Sequence, residues 1–419
     1  MADPIATSPV AAGWAMPVAH AVSTVLGSVR IAFINSGILG HRSVARLLAE
    51  CAAAMPGVEP THVDLSADLT LFDRGIRRAL SVALAPAQGT LANVDLRRWR
   101  QELNVGLLAA RRLAAIEGDR AFDALHFHTQ AAAYASVRRM SRTPSIVSID
   151  TTQRLARVAA GSSLAQLSYT PNIAHDRRVF HAAAAITTTS QWAARDLVDH
   201  DPACAHKVHV LPYPVRPIAD ADWCDLRFTR AARGERPRAL FIGGDFIRKG
   251  GDLLLEVWRE AGFGDECDLD LVTDWDLSGV TLPPGVQQHR GVTAYSPAWR
   301  ALWQSADVFV MPTRDEAFGM VYQEAASAAL PAIGTRLNAI PEILRALRDW
   351  LELIPVEWTD FYPMNRIYEF LHGFLDFENA KRLIAYGLIL IIMMIVRPDG
   401  LITRDALRRL RLHRKAGHA

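Results

Sequence analysis

The chain has 419 residues, of which 50% are hydrophobic and 21% charged, and this length favours two folded domains over one. Those fractions exclude a disordered chain and a fully membrane-embedded one. The formal net charge of +2 leaves no global field of the kind that marks a nucleic-acid binder, so we expect no nucleic-acid partner.

The cysteines and the first 27 residues indicate in which cellular compartment the protein is expected. The four cysteines form no CxxC pair, which argues against a zinc site or a redox dithiol: Cys51, Cys204, Cys224 and Cys267. Residues 1–27 contain Asp3 and no Lys or Arg, which a secretory signal would need. We therefore predict a loose N-terminal extension and a cytoplasmic protein with reduced thiols.

The first half alternates short β-branched runs with helical stretches, the pattern of a parallel α/β sheet. The predicted strands are Val29–Asn35, Ala124–His128, Ser145–Asp150, Ala185–Thr189 and Val208–Pro212. Apolar residues at three- and four-residue intervals predict helices over Ser43–Met55 and Leu103–Ile116. Residues 28–213 thus form a predicted Rossmann-like domain on the acceptor side.

A polar stretch, residues 214–237, with Pro217 and Gly234 inside it, predicts an irregular linker. A second βα series follows over residues 238–343. Its predicted strands are Arg238–Ile242, Leu269–Thr273, Val286–His289, Val308–Met311 and Ala332–Gly334. Two Rossmann-like halves predict a ligand in a cleft facing the carboxyl ends of both sheets.

The loop after the first strand of the second half is rich in glycine and cations. Gly243 and Gly244 open it, and Arg248 and Lys249 precede a predicted helix start. Glycines let backbone amides approach an anion, and the two cations suit a diphosphate. The alternative is a plain glycine turn with two solvated cations.

A second loop carries two carboxylates. A strand ends at Pro312, Glu316 lies in the polar loop that follows, and Glu324 lies one to two turns into the next helix. The amides of Phe318, Gly319 and Met320 would offer the positive end of the helix dipole to a phosphate. Carboxylates so placed accept hydrogen bonds from sugar hydroxyls, whereas the alternative is a solvated helix surface.

The E-x7-E pattern from Glu316 to Glu324, preceded by DVFVMPT and followed by ALPAIGTRLNAIPEI, resembles the signature of GT-B, family-4 glycosyltransferases. These are typically retaining enzymes. The resemblance covers residues 28–345 and implies that Lys249 binds the donor phosphate. It also implies an arginine at the position of Gly244. This chain departs from the family there, and Arg248 could supply the missing charge.

The resemblance extends to the first half. The loop from Asn35 to His41 matches the family's glycine-rich loop, so Gly37 and Gly40 are expected near the donor sugar and diphosphate. Asp150 stands where many relatives have a histidine near the sugar. We therefore expect Glu316, Asp150 and His41 to be the catalytic residues, although for His41 a plain helix-start role remains an alternative.

Three patterns imitate metal sites. Asp268-Leu-Asp270 and Asp274-Trp-Asp276 resemble a DxD motif, but the first alternates within a predicted strand, which favours a strand edge. His126 and His128 share one face of a strand without an adjacent third ligand, which favours a structural role. We expect no metal and no cofactor.

After Ile343 the family pattern is not visible. Residues 344–419 contain LELIPVEWTDFYPMNRIYEFL and YGLILIIMMIVRPDGLI, which resemble the end of a branched-chain amino-acid ABC-transporter permease. The apolar run Leu383–Val396 is short for a bilayer span, and a buried helix is an alternative. Basic residues follow it, so residues 383–415 predict peripheral contact with the inner face of the plasma membrane.

The leading interpretation is a retaining, metal-independent glycosyltransferase that uses a nucleotide-sugar donor. Its acceptor is open: a glycan, a lipid-linked glycan or a small molecule. The alternative is a non-catalytic chimeric or truncated transferase whose donor domain is incomplete and whose tail associates with a membrane. Sequence does not distinguish the donor base or sugar, because loop geometry sets those contacts.

Overall fold

The computed structural model describes residues 28–37, 40–84, 96–160, 162–220 and 222–344, and the chain divides into two compact units after Pro214. The predicted N-terminal extension and the permease-like tail beyond residue 344 lie outside the described residues, and so does the run Leu383–Val396. Within the described ranges, no helix combines the length and the apolar character needed to cross a bilayer.

The first unit is a parallel six-stranded sheet with helices on its faces. Its strands are β1 Val29–Asn35, β2 Val58–Asp64, β3 Ala124–His128, β4 Ser145–Ile149, β5 Ala185–Thr188 and β6 Val208–Val210. Its helices are α1 His41–Ala53, α2 Leu71–Ser81, α3 Arg97–Ile116, α4 Gln130–Ala133, α5 Val137–Met140, α6 Gln153–Val158, α7 Ser163–Leu167, α8 Thr170–Ala182 and α9 Gln191–His200, with a 3-10 turn Pro202–Lys207.

The strand order in this sheet is β2-β1-β3-β4-β5-β6, so the direction of winding reverses between β1 and β3. Ligands of such sheets bind where the order reverses, beyond the carboxyl ends of the strands. The core is built from alternating strand residues such as Ile34, Leu125, Phe127, Val147 and Ile149, none more than 1% exposed. This core holds the loops after β1, β3 and β4 at one edge.

The sequence pattern does not predict the edge strand β2. Its sequence VEPTHVD carries few apolar residues, and Pro60 lacks a backbone donor. An edge strand tolerates both, because it pairs on one side alone, here with β1.

The second unit is a parallel five-stranded sheet in the order β11-β10-β7-β8-β9. Its strands are β7 Arg238–Ile242, β8 Asp268–Val272, β9 Val286–His289, β10 Val308–Met311 and β11 Ala332–Gly334. Its helices are α10 Trp223–Ala232, α11 Gly251–Glu260, α12 Pro297–Ser305 and α13 Met320–Ser327, with a 3-10 turn Phe263–Asp265. Here the order reverses between β7 and β10, so their two loops lie side by side.

The predicted linker is not irregular throughout, because α10 lies inside it. Trp223 at its start is 1% exposed. Arg227 donates hydrogen bonds to the carbonyls of Ala306 (2.9 Å) and Ala328 (2.9 Å). These carbonyls end α12 and α13, where a cation is favourable. One buried tryptophan and the hydrogen bonds of one half-buried arginine thus hold this polar segment against the rest of the second unit.

Candidate active site

Glycines shape the loop that joins β7 to α11. Gly250 has φ of +76°, and a Cβ there would lie 2.0 Å from the carbonyl oxygen of Pro312. Any other residue would push the β7 and β10 loops apart. The loops are further joined by the amide of Arg314, which donates to the carbonyl of Arg248 at 2.8 Å. The reversal point thus brings together two segments that are distant in sequence.

Lys249 and Glu316 meet at this junction as an ion pair. Each side chain is 15% exposed, so the pair is largely desolvated. Burial, and then the neighbouring charge of Arg248, lower the pKa of Lys249 to about 8. In such a pair, the ammonium of Lys249 can bind another anion in place of the carboxylate, and the carboxylate of Glu316 can bind a hydroxyl donor in place of the ammonium.

Arg248 is oriented by acidic neighbours. Its Nε lies 3.1 Å from Oδ2 of Asp245, and its Nη1 donates to the carbonyl of Asp315 at 2.7 Å. The guanidinium charge is therefore already partly neutralised. Beside Gly244, by contrast, a Cβ would meet no atom of the described chain within 4 Å, which leaves open space next to the loop that carries Lys249.

The start of α13 presents backbone donors. Gly319 has φ of +88° and precedes the helix, and a Cβ there would lie 2.8 Å from the ring of Tyr322. Tyr322 in turn donates to the carbonyl of Met311 at 2.7 Å, which fixes the helix against β10. Within the described part of the chain, the amides of Gly319 and Met320 donate no hydrogen bond. Phe318, the third predicted contact, is buried beside them.

Glu324 lies on α13 and is engaged by Tyr295, whose hydroxyl donates to Oε1 at 3.0 Å. Burial raises the pKa of Glu324 to about 7, and the tyrosine hydrogen bond opposes that change. Tyr295 has φ of +64°. Asn338, also at positive φ, donates to the carbonyl of Glu316 at 2.9 Å and supports its loop. Sequence reasoning does not find Tyr295, because no motif marks it, and Asn338 lies in the quoted stretch ALPAIGTRLNAIPEI without a role assigned to it.

In the first unit, His41 and Asp150 come together at the reversal point. His41 is the first residue of α1, and its Nε2 lies 3.7 Å from Oδ2 of Asp150, which follows β4. Ser36 lies 3.0 Å from the other ring nitrogen of His41. Burial opposes ionisation of Asp150, yet the hydrogen bond and charge of His41 keep the pKa of this carboxyl below its usual value. The two predicted residues thus form a polar pair.

The glycine-rich loop of the first unit is closely packed at Gly37. This residue has φ of +69°, and a Cβ there would lie 2.3 Å from both Asp64 and Ser66. Its amide donates to Oδ1 of Asn35 at 2.7 Å. Gly40 has ordinary right-handed helical angles and precedes α1, where it accepts a hydrogen bond from the amide of Val44.

The histidines of β3 have protein partners. His126 Nε2 lies 2.7 Å from Oγ of Ser148. His128 accepts from Asn35 at Nδ1 (2.8 Å), so its Nε2 donates to Tyr213 (2.7 Å). Burial first, and then neighbouring imidazoles, lower the pKa of His126 to about 4 and that of His128 to about 3. Both are neutral structural groups near neutral pH, which agrees with the favoured interpretation.

The carboxylates of the two DxD-like patterns also have partners within the protein. Asp268 pairs with Arg236 at 3.3 Å, and Asp270, 7% exposed, pairs with His289 at 2.6 Å. In the second pattern, Asp274 and Asp276 accept from the amides of Gly291 (2.6 Å) and Ser278 (3.0 Å). Asp268 thus lies at the start of β8, but Asp270 is buried within this strand between β7 and β9, so the strand-edge interpretation is wrong for Asp270. Asp274 and Asp276 lie in the turns that follow.

A buried carboxyl cluster lies behind the segment that follows Asp150. The Tyr134 hydroxyl lies 2.7 Å from Oδ1 of Asp176 and 3.1 Å from Oε2 of Glu102. Asp176 also accepts from the amide of Gln153 at the start of α6 (3.1 Å). Burial raises the pKa of Asp176 to about 8 and raises that of Glu102 as well. The cluster therefore retains a proton near neutral pH.

Solved structures share this architecture. A sucrose-phosphate synthase from Thermosynechococcus elongatus matches with a TM-score of 0.52 at 15% identity, over 93% of this chain and 99% of the other. The catalytic domain of starch synthase IV from Arabidopsis thaliana, bound to ADP and acarbose, matches with a TM-score of 0.50 at 10% identity, over 93% and 99%. The chain has the GT-B fold of two Rossmann-like domains, as predicted.

Two family models match successive parts of the chain. Residues 44–217 match the family model described as Glycosyltransferase Family 4, and residues 236–359 match the model described as Glycosyl transferases group 1. The chain therefore carries two successive glycosyltransferase domains, and the second match reaches beyond Ile343. No curated protein sequence is significantly similar to the chain.

Proposed function

We propose that this protein transfers a sugar from a nucleotide-diphosphate sugar to an acceptor, with retention of the anomeric configuration and without a metal. The observation that carries this proposal is the Lys249–Glu316 ion pair at the reversal point of the second sheet. A nucleotide sugar contains both groups that Lys249 and Glu316 would need as new partners once they separate. Its diphosphate replaces Glu316 at the ammonium, and its sugar hydroxyls replace Lys249 at the carboxylate.

Groups on α13 and just before it take further parts of the donor in this proposal. The amides of Gly319 and Met320, beside buried Phe318, bind a phosphate oxygen, and Glu324 accepts from ribose hydroxyls after Tyr295 moves away. When the bond between the sugar and the diphosphate breaks, charge develops on the leaving oxygen. Lys249 and these amides stabilise that charge, which is the work a metal performs elsewhere.

The pair formed by His41 and Asp150 in the first unit is assigned to the transfer step. A carboxylate held ionised by an imidazole accepts strongly from hydroxyls, and the imidazole can carry a proton. The ADP-bound starch synthase domain shares the fold of this chain, and the shared fold is the only support that this comparison gives to a nucleotide donor. The acceptor stays open.

Calorimetric titration of the full chain with a panel of nucleotide-diphosphate sugars tests the proposal. We expect saturable binding of one donor, with the matching nucleoside diphosphate competing. A purified, folded chain that binds none of them would contradict a transferase and favour the non-catalytic alternative, which depends on residues outside the described part.

A second test concerns the metal. We expect turnover to survive EDTA, and Asp268→Asn to retain activity, because Asp268 is paired with Arg236 at 3.3 Å. Turnover is measured with and without chelator, and with manganese or magnesium restored. Loss of activity on chelation that a divalent cation reverses would make metal independence wrong.

A further inference from the structure

Three side chains that carry metal-binding atoms meet at one end of the first sheet. They are His181 in the last turn of α8, Asp201 directly after α9 and Cys204 in the 3-10 turn Pro202–Lys207. Each offers one ligand atom, and the three atoms all lie within 4.8 Å of one another. Among the residues that the structure describes, no other three His, Cys, Asp or Glu side chains form such a group. Spacing in the sequence does not reveal this cluster, because its members come from three separate elements.

The cluster lies at the opposite edge of the first sheet from the candidate active site. The helix α8 leads into β5, and the 3-10 turn leads into β6, so the cluster lies at the amino ends of these strands. His41 and Asp150 lie at the carboxyl edge of the same parallel sheet. A metal ion bound by the cluster would therefore be remote from the proposed sugar transfer and would act on the stability of the first unit.

The distances within the cluster are close to those around a tetrahedral ion. Nε2 of His181 lies 2.7 Å from Oδ2 of Asp201, so the imidazole donates a hydrogen bond to the carboxylate. A metal ion would take the place of that proton, and His181 would then carry its proton on Nδ1. Around zinc, with bonds of about 2.0 to 2.3 Å, ligand atoms lie roughly 3.3 to 3.7 Å apart. The cluster thus needs shifts of about 1 Å, which the 45% exposed side chain of His181 is free to make.

The charges of the cluster suit a divalent ion. Cys204 is 1% exposed, and burial first, then the charge of Asp201, raises the pKa of its thiol. The thiol would therefore release its proton to water only when a metal takes its place. The thiolate and the carboxylate then balance both charges of the ion. Two neighbouring cations are tolerated by this neutral set: Arg177, which is 74% exposed, and Lys207, which donates to the carbonyl of His181 at 3.0 Å.

We propose that His181, Asp201 and Cys204 bind one zinc ion, with water as the fourth ligand. Zinc suits a set of one sulfur, one imidazole nitrogen and one carboxylate oxygen, whereas magnesium and calcium prefer oxygen ligands. Water can reach the ion, because His181 is partly exposed and a cavity of about 240 Å³ between α8 and α9 borders Asp201. The ion cross-links the end of α8 to the turn that precedes β6.

Calorimetric titration of the metal-free full chain with zinc tests this proposal. We expect one zinc ion per chain, and a melting temperature that rises with zinc concentration. Cys204→Ser and His181→Gln should each weaken zinc binding at least about tenfold. Both variants are expected to fold, because serine has nearly the shape of cysteine and the His181 side chain is 45% exposed.

Matched variants control for zinc binding by unrelated side chains. Cys267→Ser removes another buried thiol, and His209→Gln removes another exposed imidazole. Both controls should bind zinc as the unmodified chain does. Cobalt(II) in place of zinc identifies the sulfur ligand, because a thiolate bound to cobalt gives a charge-transfer absorption band in the near ultraviolet. We expect this band in the unmodified chain and in both controls, and its loss in Cys204→Ser.

Two results would overturn the zinc site. One is the absence of saturable zinc binding to the metal-free chain, which would leave His181 and Asp201 as a plain hydrogen-bonded pair. The other is zinc binding that is unchanged in Cys204→Ser and His181→Gln, which would place the ion elsewhere. Titrations with nucleotide sugars are carried out on the metal-free chain, so donor binding and zinc binding succeed or fail independently.

Discussion

Replacing Lys249 with alanine is expected to weaken donor binding by at least about 30-fold, corresponding to about 2 kcal/mol. The substitution removes the cation proposed to bind the diphosphate and leaves the Glu316 carboxylate, 15% exposed, without its ion-pair partner. Calorimetry with the donor found in the panel measures the effect. Arg233→Ala, which removes a 70% exposed cation from the same unit, is the control and should bind normally.

The partner variant Glu316→Gln separates charge from loop structure. It leaves Lys249 in place without a competing carboxylate, so a free nucleoside diphosphate should bind at least as tightly as before. Turnover should fall, because the sugar loses its charged acceptor. Unchanged donor affinity in Lys249→Ala would remove this lysine from the site. Equal loss of diphosphate binding in both variants would point to damage of the loops.

Replacing Asp176 with asparagine is expected to stabilise the protein increasingly as the pH rises from 5 to 8. The folded carboxyl has its pKa raised from 3.8 to about 8, so the native state keeps a proton that the unfolded chain releases. The contribution of this group to the stability of the unmodified protein is therefore greatest below pH 4 and falls as the pH rises towards 8. A tenfold difference in proton affinity between the folded and unfolded states corresponds to about 1.4 kcal/mol, so the loss of stability amounts to several kcal/mol.

The amide preserves the geometry of the cluster. Its oxygen accepts from the amide of Gln153, and its nitrogen donates to Tyr134, which then donates to Glu102. Thermal unfolding at pH 5 and pH 8 measures the difference, and we expect the gap in melting temperature to widen by roughly 5 °C or more. Asp119→Asn, at an exposed carboxyl, should show no widening. A gap that is constant with pH would mean that Asp176 is ionised in the folded state.

Hydrophobic pattern and local motifs predict most of the fold. The ten predicted strands lie within one or two residues of observed ones, because β-branched runs are locally distinct. The glycine loops at Gly37 and Gly250 and the carboxylates of the E-x7-E pattern also lie at the carboxyl edges of the sheets, where motif and topology agree. The strand β2 escapes prediction because its few apolar residues and Pro60 are tolerated at an edge alone.

Contacts that depend on three-dimensional packing are not predictable from the sequence. Tyr295 reaches Glu324 because a loop after β9 passes α13, and nothing in its local sequence indicates that. Charged residues of a helix are expected at the solvated surface, yet Glu102 and Asp176 converge on Tyr134 in the interior. The proposed zinc ligands cannot be assigned either, since they lie on three separate elements and share no local spacing.

The strand order of the second sheet has a consequence for how the chain acquires its site. The loops after β7 and β10 touch through Arg248 and Asp315, which are 67 residues apart in sequence. Such long-range contacts form late, because the intervening segment must be closed into a loop before they stabilise anything. A nucleotide bound to both loops would selectively populate the fully assembled unit and raise its unfolding temperature in a concentration-dependent way. The fraction of the protein that binds a nucleotide would thus depend on how much of it is completely folded as well as on the affinity of the site.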